Sequence, residues 1–152
     1  MEPNHHAPLK IIYADDDEDD REFFTDALAQ AHTAAKLTTF EDGEKLMHAL
    51  EKAEGNIPDI IFLDINMPCK DGKQCLKELR SIKELKKVPV VMFSTSAHSH
   101  DIEETFAHGA SLYLSKPLSI SSEVKMLKRI INMYVKGQLE NIEWNKFYMH
   151  GA

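Results

Sequence analysis

Short apolar runs alternate along the chain with longer stretches in which apolar residues recur every three or four positions. The runs are Leu9–Ala14, Leu37–Phe40, Asp59–Leu63, Val88–Phe93 and Leu112–Leu114. They are too short for buried helices and rich in β-branched and aromatic residues, so they predict strands, the central one covered on both faces. Pro89 lies at the start of its run, where a missing N–H is tolerated. The intervening stretches predict helices carrying Phe23, Phe24, Ala27, Leu28 and Ala31; then Leu46, Met47 and Leu50; then Cys75, Leu76, Leu79 and Ile82. A polar helix around Asp101–His108 turns Ile102 and Phe106 inward, and a last one carries Val124, Leu127, Ile130, Ile131 and Tyr134. Asp42-Gly43 and Asp71-Gly72 read as turns, and Pro58 and Gly109 as breaks. Five strand–helix alternations predict an α/β fold: a doubly wound five-stranded parallel sheet with helices on both faces and right-handed crossovers.

Composition narrows the picture without changing it. The 152 residues suffice for one domain with a full core, and 43% hydrophobic and 28% charged content is ordinary for a globular protein. A net charge of −7 argues against nucleic acid as a partner, since phosphate binding needs a basic face. No run reaches the length of a transmembrane helix, and the polar segment Met1–Pro8, with His5 and His6, has no signal core. A cytoplasmic location is therefore expected. Cys69 and Cys75 form no CxxC pair and read as ordinary thiols.

The chemistry gathers at strand ends. Asp64 closes the central strand, at the carboxyl edge where open parallel sheets place their ligands. Burying it unpaired would cost several kcal/mol or more, which leaves a ligand site or a turn or cap aspartate. Asp15 and Asp16 end the first strand, Ser94 the fourth, and Lys116 follows the fifth. The acids Asp17, Glu18, Asp19 and Asp20 read as a solvated helix start favoured by the helix dipole. Three carboxylates meeting at the crevice between the first and third strands need a cation. All-oxygen ligation suits Mg²⁺, and an ion plus Lys116 would let the pocket accept a phosphoryl group.

With these residues in order, the chain resembles the receiver domains of two-component response regulators. The resemblance covers residues 9–136 and leaves 1–8 as an N-terminal tail and 137–152 as a C-terminal extension. It rests on the pair Asp15-Asp16, the segment LDINMP with Asp64, Asp71-Gly72, Ser94-Thr95 and Lys116-Pro117. It implies a flavodoxin-like (CheY-like) fold of strand order 2-1-3-4-5, with Asp64 as phosphoacceptor from a histidine kinase or phosphotransfer protein. It further implies Mg²⁺ held by Asp15, Asp16, Asp64 and the Asn66 carbonyl. Ser94, with the small Thr95 beside it, and Lys116 would contact the phosphoryl group, Tyr113 would turn inward with Ser94, and Lys116-Pro117 would be cis. Serine at 94, where most members have threonine, keeps the hydroxyl and lacks the methyl group.

Two other readings compete. A haloacid-dehalogenase-type phosphotransferase also uses a strand-end aspartate, but it wants a second aspartate at position 66, which is Asn. A degenerate receiver serving only as an interaction module is disfavoured by the intact acidic pair, Asp64, Ser94 and Lys116. No nucleotide-binding glycine motif is present. His98, His100 and Asp101 read as a solvated loop, and Met47, Met67 and Met92 as packing residues. With no output domain after the last helix, the signal is expected to leave by protein contact, in a phosphorelay or at a target. An acidic fourth helix (Asp101, Glu103, Glu104) and a basic last helix (Lys125, Lys128, Arg129) flank the fifth strand. A homodimer or target complex is predicted on that face, with Trp144, Phe147 and Tyr148 folding back beside the last helix.

Overall fold

The computed structural model describes residues 8–149 apart from 33 and 53, so His5 and His6 lie outside the described residues. In chain order the elements are β1 (Leu9–Ala14), α1 (Glu18–Ala31), β2 (Ala35–Phe40), α2 (Gly43–Glu51), β3 (Ile60–Leu63) and α3 (Gly72–Ser81). They continue with β4 (Val90–Ser94), α4 (Ser99–Ala107), β5 (Leu112–Ser115), α5 (Ile120–Val135), α6 (Trp144–Phe147) and β6 (Tyr148–Met149). One sheet has the order β2-β1-β3-β4-β5-β6, with every pair parallel. The predicted order 2-1-3-4-5 is present, extended by a sixth strand.

All four residues of β3 are buried, as expected of a strand covered on both faces. Ile61 and Leu63 enter the core under α2, α3 and α4, while Ile60 and Phe62 enter the core under α1 and α5. The second core is aromatic: Tyr13 stacks on Phe24 at 4.3 Å, and Phe24 meets Phe62 edge-on at 5.0 Å. Phe23 points outward instead and is 36% exposed. Met47, Met67 and Met92 are buried packing residues, and both cysteines are free thiols. No helix among the described residues is long and apolar enough to cross a membrane.

The two Asp-Gly pairs are helix starts rather than turns. Asp42 and Asp71 accept from the backbone N–H groups of Lys45 and Gln74, and Gln74 answers the Asp71 N–H to complete a capping box. Each glycine is the first helical residue and is buried. Asp17 and Ser119 cap α1 and α5 in the same way.

The C-terminal extension departs most from expectation. A bare β5 edge would leave a row of unpaired backbone groups, and β6 pairs with it, Tyr148 opposite Tyr113 and Met149 opposite Leu114. Leu139 is buried in the α1/α5 core, as a tail lying beside the last helix requires. Phe147, however, is fully buried on the other side of the sheet, 5.0 Å from Phe106 of α4, with Trp144 5.1 Å from that same ring. The edge predicted to receive a second copy is thus occupied by the chain's own tail. Two of the acidic side chains of α4 are engaged as well: Lys73 of α3 binds Asp101 at 2.6 Å and also Glu104.

Candidate functional site

The carboxyl ends of β1 and β3 lie side by side, Ala14 opposite Leu63, so the residue after each strand enters one crevice. Asp15 follows β1 and is fully buried; Asp64 follows β3 and is 7% exposed; Asp16 lies at the surface. These three each offer a carboxylate oxygen within 4.8 Å of the others. The Asp64 N–H donates to the Ala14 carbonyl at 3.0 Å, which ties the two strand ends together.

Lys116 reaches this cluster from the end of β5. Its ammonium lies 2.5 Å from Asp15 Oδ2, 2.8 Å from Asp20 Oδ2 and 3.7 Å from Asp64 Oδ2. It does so with the Lys116–Pro117 peptide trans, there being no cis peptide bond among the described residues; the expected cis bond is corrected. The Lys116 N–H continues the strand pairing by donating to the Ser94 carbonyl at 2.9 Å, and the long side chain alone spans the remaining distance.

Asp20 is the residue that sequence reasoning missed. Read as part of a solvated helix start, it instead supplies the second carboxylate on Lys116. Its place three residues after the Asp17 cap was the available signal, because helical side chains tilt toward the N-terminal end.

Burial pushes the Asp64 carboxyl up to about 7; Lys116 opposes this, and the Asp15 charge adds to it. Burial works to lower the Lys116 ammonium, but Asp64 and the hydrogen bonds to Asp15 and Asp20 outweigh it and hold its pKa above the ordinary value. The Tyr13 hydroxyl donates to Asp15, and burial with the Asp15 charge raises its pKa well above normal. The donor set is hard oxygen with one ammonium as internal counter-ion, which fits an oxygen-seeking divalent ion.

The remaining predicted residues lie around this cluster. Ser94 is fully buried, and its hydroxyl accepts from the Ser96 N–H at 3.2 Å. Thr95 and Asn66 are exposed. Tyr113 is turned inward and fully buried, its hydroxyl donating to the Ser96 carbonyl at 2.8 Å. Ser94 and Tyr113 thus both hold the loop after β4, and neither hydroxyl is bonded to the acidic cluster.

The response regulator receiver domain model matches residues 11–128. The chain belongs to that family. Among curated relatives, the response regulator Rcp1 of Synechocystis is 26% identical over 141 residues, 90% of this chain and 95% of Rcp1. The phosphorylated cyanobacterial phytochrome response regulator RcpA superposes with a TM-score of 0.78 at 31% identity, covering 86% of this receiver and 96% of RcpA. The chemotaxis response regulator CheY4 of Vibrio cholerae gives 0.70 at 27% identity, over 81% and 98%. A Mn²⁺-bound form of Rcp1 is also similar, with a TM-score of 0.74 at 27% identity and coverage of 90% and 98%. The receiver is therefore a phosphoacceptor module of phosphorelay signalling, and its acidic cluster suits a divalent metal.

The raised Asp64 pKa has a consequence for stability. In the unfolded chain Asp64 ionises near 3.8, whereas in the fold it holds its proton to about 7. Well below pH 3.8 it is protonated in both states. As pH rises toward 7 the unfolded state gains charge first, so the native state is progressively disfavoured. Asp64→Asn removes this penalty. In chelator, urea unfolding at pH 8 should show the variant more stable than the wild type by on the order of a few kcal/mol, with the gap nearly closed at pH 4. A gap independent of pH would contradict the assignment.

Proposed function

We propose that Asp64 is the phosphoacceptor of this receiver, taking a phosphoryl group from a phosphohistidine of a histidine kinase or phosphotransfer protein. The observation that carries this reading is the Lys116 ammonium poised 3.7 Å from the Asp64 carboxylate at the end of the central strand, beside Asp15 and Asp16. An Asp64 oxygen attacks phosphorus, the P–N bond to the donor imidazole breaks, and the departing imidazole carries the electron pair as it takes up a proton. Asp15, Asp16 and Asp64, with the Asn66 backbone carbonyl, would hold Mg²⁺, whose chemistry is to neutralise charge on the transferred phosphoryl oxygens. Lys116 then exchanges its carboxylate partners for a phosphoryl oxygen. Ser94 turns its hydroxyl toward the same group, and Thr95 leaves room for the loop to close.

The signal passes through the loop after β4. Ser94 and Tyr113 both bond Ser96, and the Ser96 hydroxyl donates to Asp101 of α4 at 3.1 Å. A shift of Ser94 toward a phosphoryl group therefore perturbs α4 and the tail aromatics resting on it. That surface, with the basic side of α5, is the proposed output face for a target protein or a second copy.

Incubation with acetyl phosphate and Mg²⁺ should add one phosphoryl group by intact mass, abolished in Asp64→Asn and by chelation. Asp16→Ala should weaken Mg²⁺ binding by on the order of tenfold or more, the loss that even indirect partners of a metal can cause. Asp19→Ala, exposed on the first turn of α1, should leave metal affinity near the wild-type value. A phosphorylated Asp64→Asn protein would sink the assignment of the acceptor, and equal losses in the two alanine variants would sink that of the ligands.

A further inference from the structure

Beside the phosphoacceptor cluster, and sharing Asp20 and Lys116 with it, a pocket of about 280 Å³ opens between α1 and the start of α5. Glu123 lines it, 4% exposed, and its Oε2 has no hydrogen-bond partner among the described residues. A buried carboxylate without a partner is costly, and none of the roles assigned above uses this one. Asp20 faces the same pocket, and Lys116 is its only basic lining residue. Of its lining residues, Phe23 is 36% exposed and Leu118 stands fully in solvent at 102%. Large apolar side chains seldom gather in this way around a buried acid unless something covers them.

We propose that this pocket is an acidic socket for an arginine side chain of a partner protein, and that phosphorylation strengthens it. The second clause rests on the phosphoacceptor reading. Unphosphorylated, Lys116 occupies the neighbourhood and satisfies Asp20 at 2.8 Å. When Lys116 turns to a phosphoryl oxygen on Asp64, Asp20 loses its cation and the socket holds two carboxyl groups with no cation. A guanidinium fits this vacancy in charge and in shape. Its planar fork can donate to both Asp20 and Glu123, and its methylene stem can lie along Phe23 and Leu118. Burial pushes the Glu123 carboxyl up to about 7, with Asp20 acting in the same direction and Lys116 against it, so an arriving cation finds a group ready to ionise. Because the arginine prefers the state Lys116 has left, partner binding and phosphorylation reinforce one another by the same factor.

The probe is N-acetyl-arginine amide, with N-acetyl-citrulline amide as its neutral isostere. Binding is read from amide shifts of Phe23, Ile120 and Glu123 in the full chain. Lys116→Met empties the socket of its own cation without any phosphorylation and should bind the arginine probe at least fivefold more tightly than the unphosphorylated wild type. The phosphorylated wild type should match Lys116→Met. Adding Glu123→Gln, or Glu123→Leu should the first variant fold poorly, should remove most of that gain, and the citrulline probe should not bind. Equal binding of the two probes, or an unchanged affinity without the Glu123 carboxylate, overturns the socket. Tight binding to Lys116→Met with none gained on phosphorylation upholds the socket and overturns its coupling. Absence of phosphorylation is seen independently by mass, so a failure of the acceptor reading is told apart from a failure of the socket.

Discussion

Gly72→Ala is expected to damage the fold and the proposed phosphoacceptor site together. A Cβ at this position would stand 2.1 Å from the Asp64 carbonyl oxygen and 2.9 Å from both the Asp64 carbonyl carbon and Ile65 Cα. All three are backbone atoms of the loop that carries Asp64, so no side-chain rotation relieves the overlap. The Gly72 N–H also donates to the Ile65 carbonyl at 2.8 Å, which holds α3 against this loop. Either α3 backs away or the loop after β3 shifts. Overpacking of a close-packed site commonly costs about 1–3 kcal/mol, and contact with backbone places this substitution at about 3 kcal/mol or beyond. The urea midpoint should fall accordingly, and acetyl phosphate labelling should drop sharply even at temperatures where the variant stays folded. A variant with wild-type stability and labelling would show that α3 does not press on the Asp64 carbonyl.

Phe147→Ala should cost about 3–5 kcal/mol, the usual loss for truncating a buried aromatic. Phe147 is fully buried although it belongs to a four-residue helix near the chain's end. It touches Phe106 at 5.0 Å, Trp144 at 6.3 Å and Tyr113 at 6.5 Å. Helices this short are not stable alone, so α6 and β6 depend on this side chain. The loss is therefore expected to appear first as local undocking. Fluorescence of Trp144, the chain's one tryptophan, should shift red, and amide exchange at Tyr148 and Met149 should accelerate. Labelling of Asp64 should survive, since β1 and β3 do not touch the tail in the sheet order. Trp144→Ala, half exposed at 50%, should cost much less. Equal costs for the two would mean that the tail is held by the tryptophan's outer contacts rather than by its buried anchor.

The double winding was legible in the sequence because each strand is a short apolar run bounded by polar residues, and each long helix carries a face of fixed spacing. Those are local signals, set by burial on one or two sides. Asp15, Asp16, Asp64 and Lys116 could be named for the same reason: each stands directly at a strand end, and parallel strands bring their carboxyl ends to one edge.

What the local signals could not carry was decided across the sheet. Asp20 resembles any acid of a first helical turn until Lys116 arrives from the far end of the chain to pair with it. Gly72 resembles a turn glycine until α3 is laid against the Asp64 carbonyl. Glu123 sits in the first turn of an amphipathic helix, where an acid is ordinary, and only the packing of α1 against α5 buries it. The tail Leu139–Met149 has no run long enough to announce a strand. Its apolar residues acquire partners only once β5 offers an open edge and Phe106 an uncovered ring. Strand and helix identity follow from the neighbours along the chain; pairing, enclosure and charge compensation follow from neighbours that only the folded chain supplies.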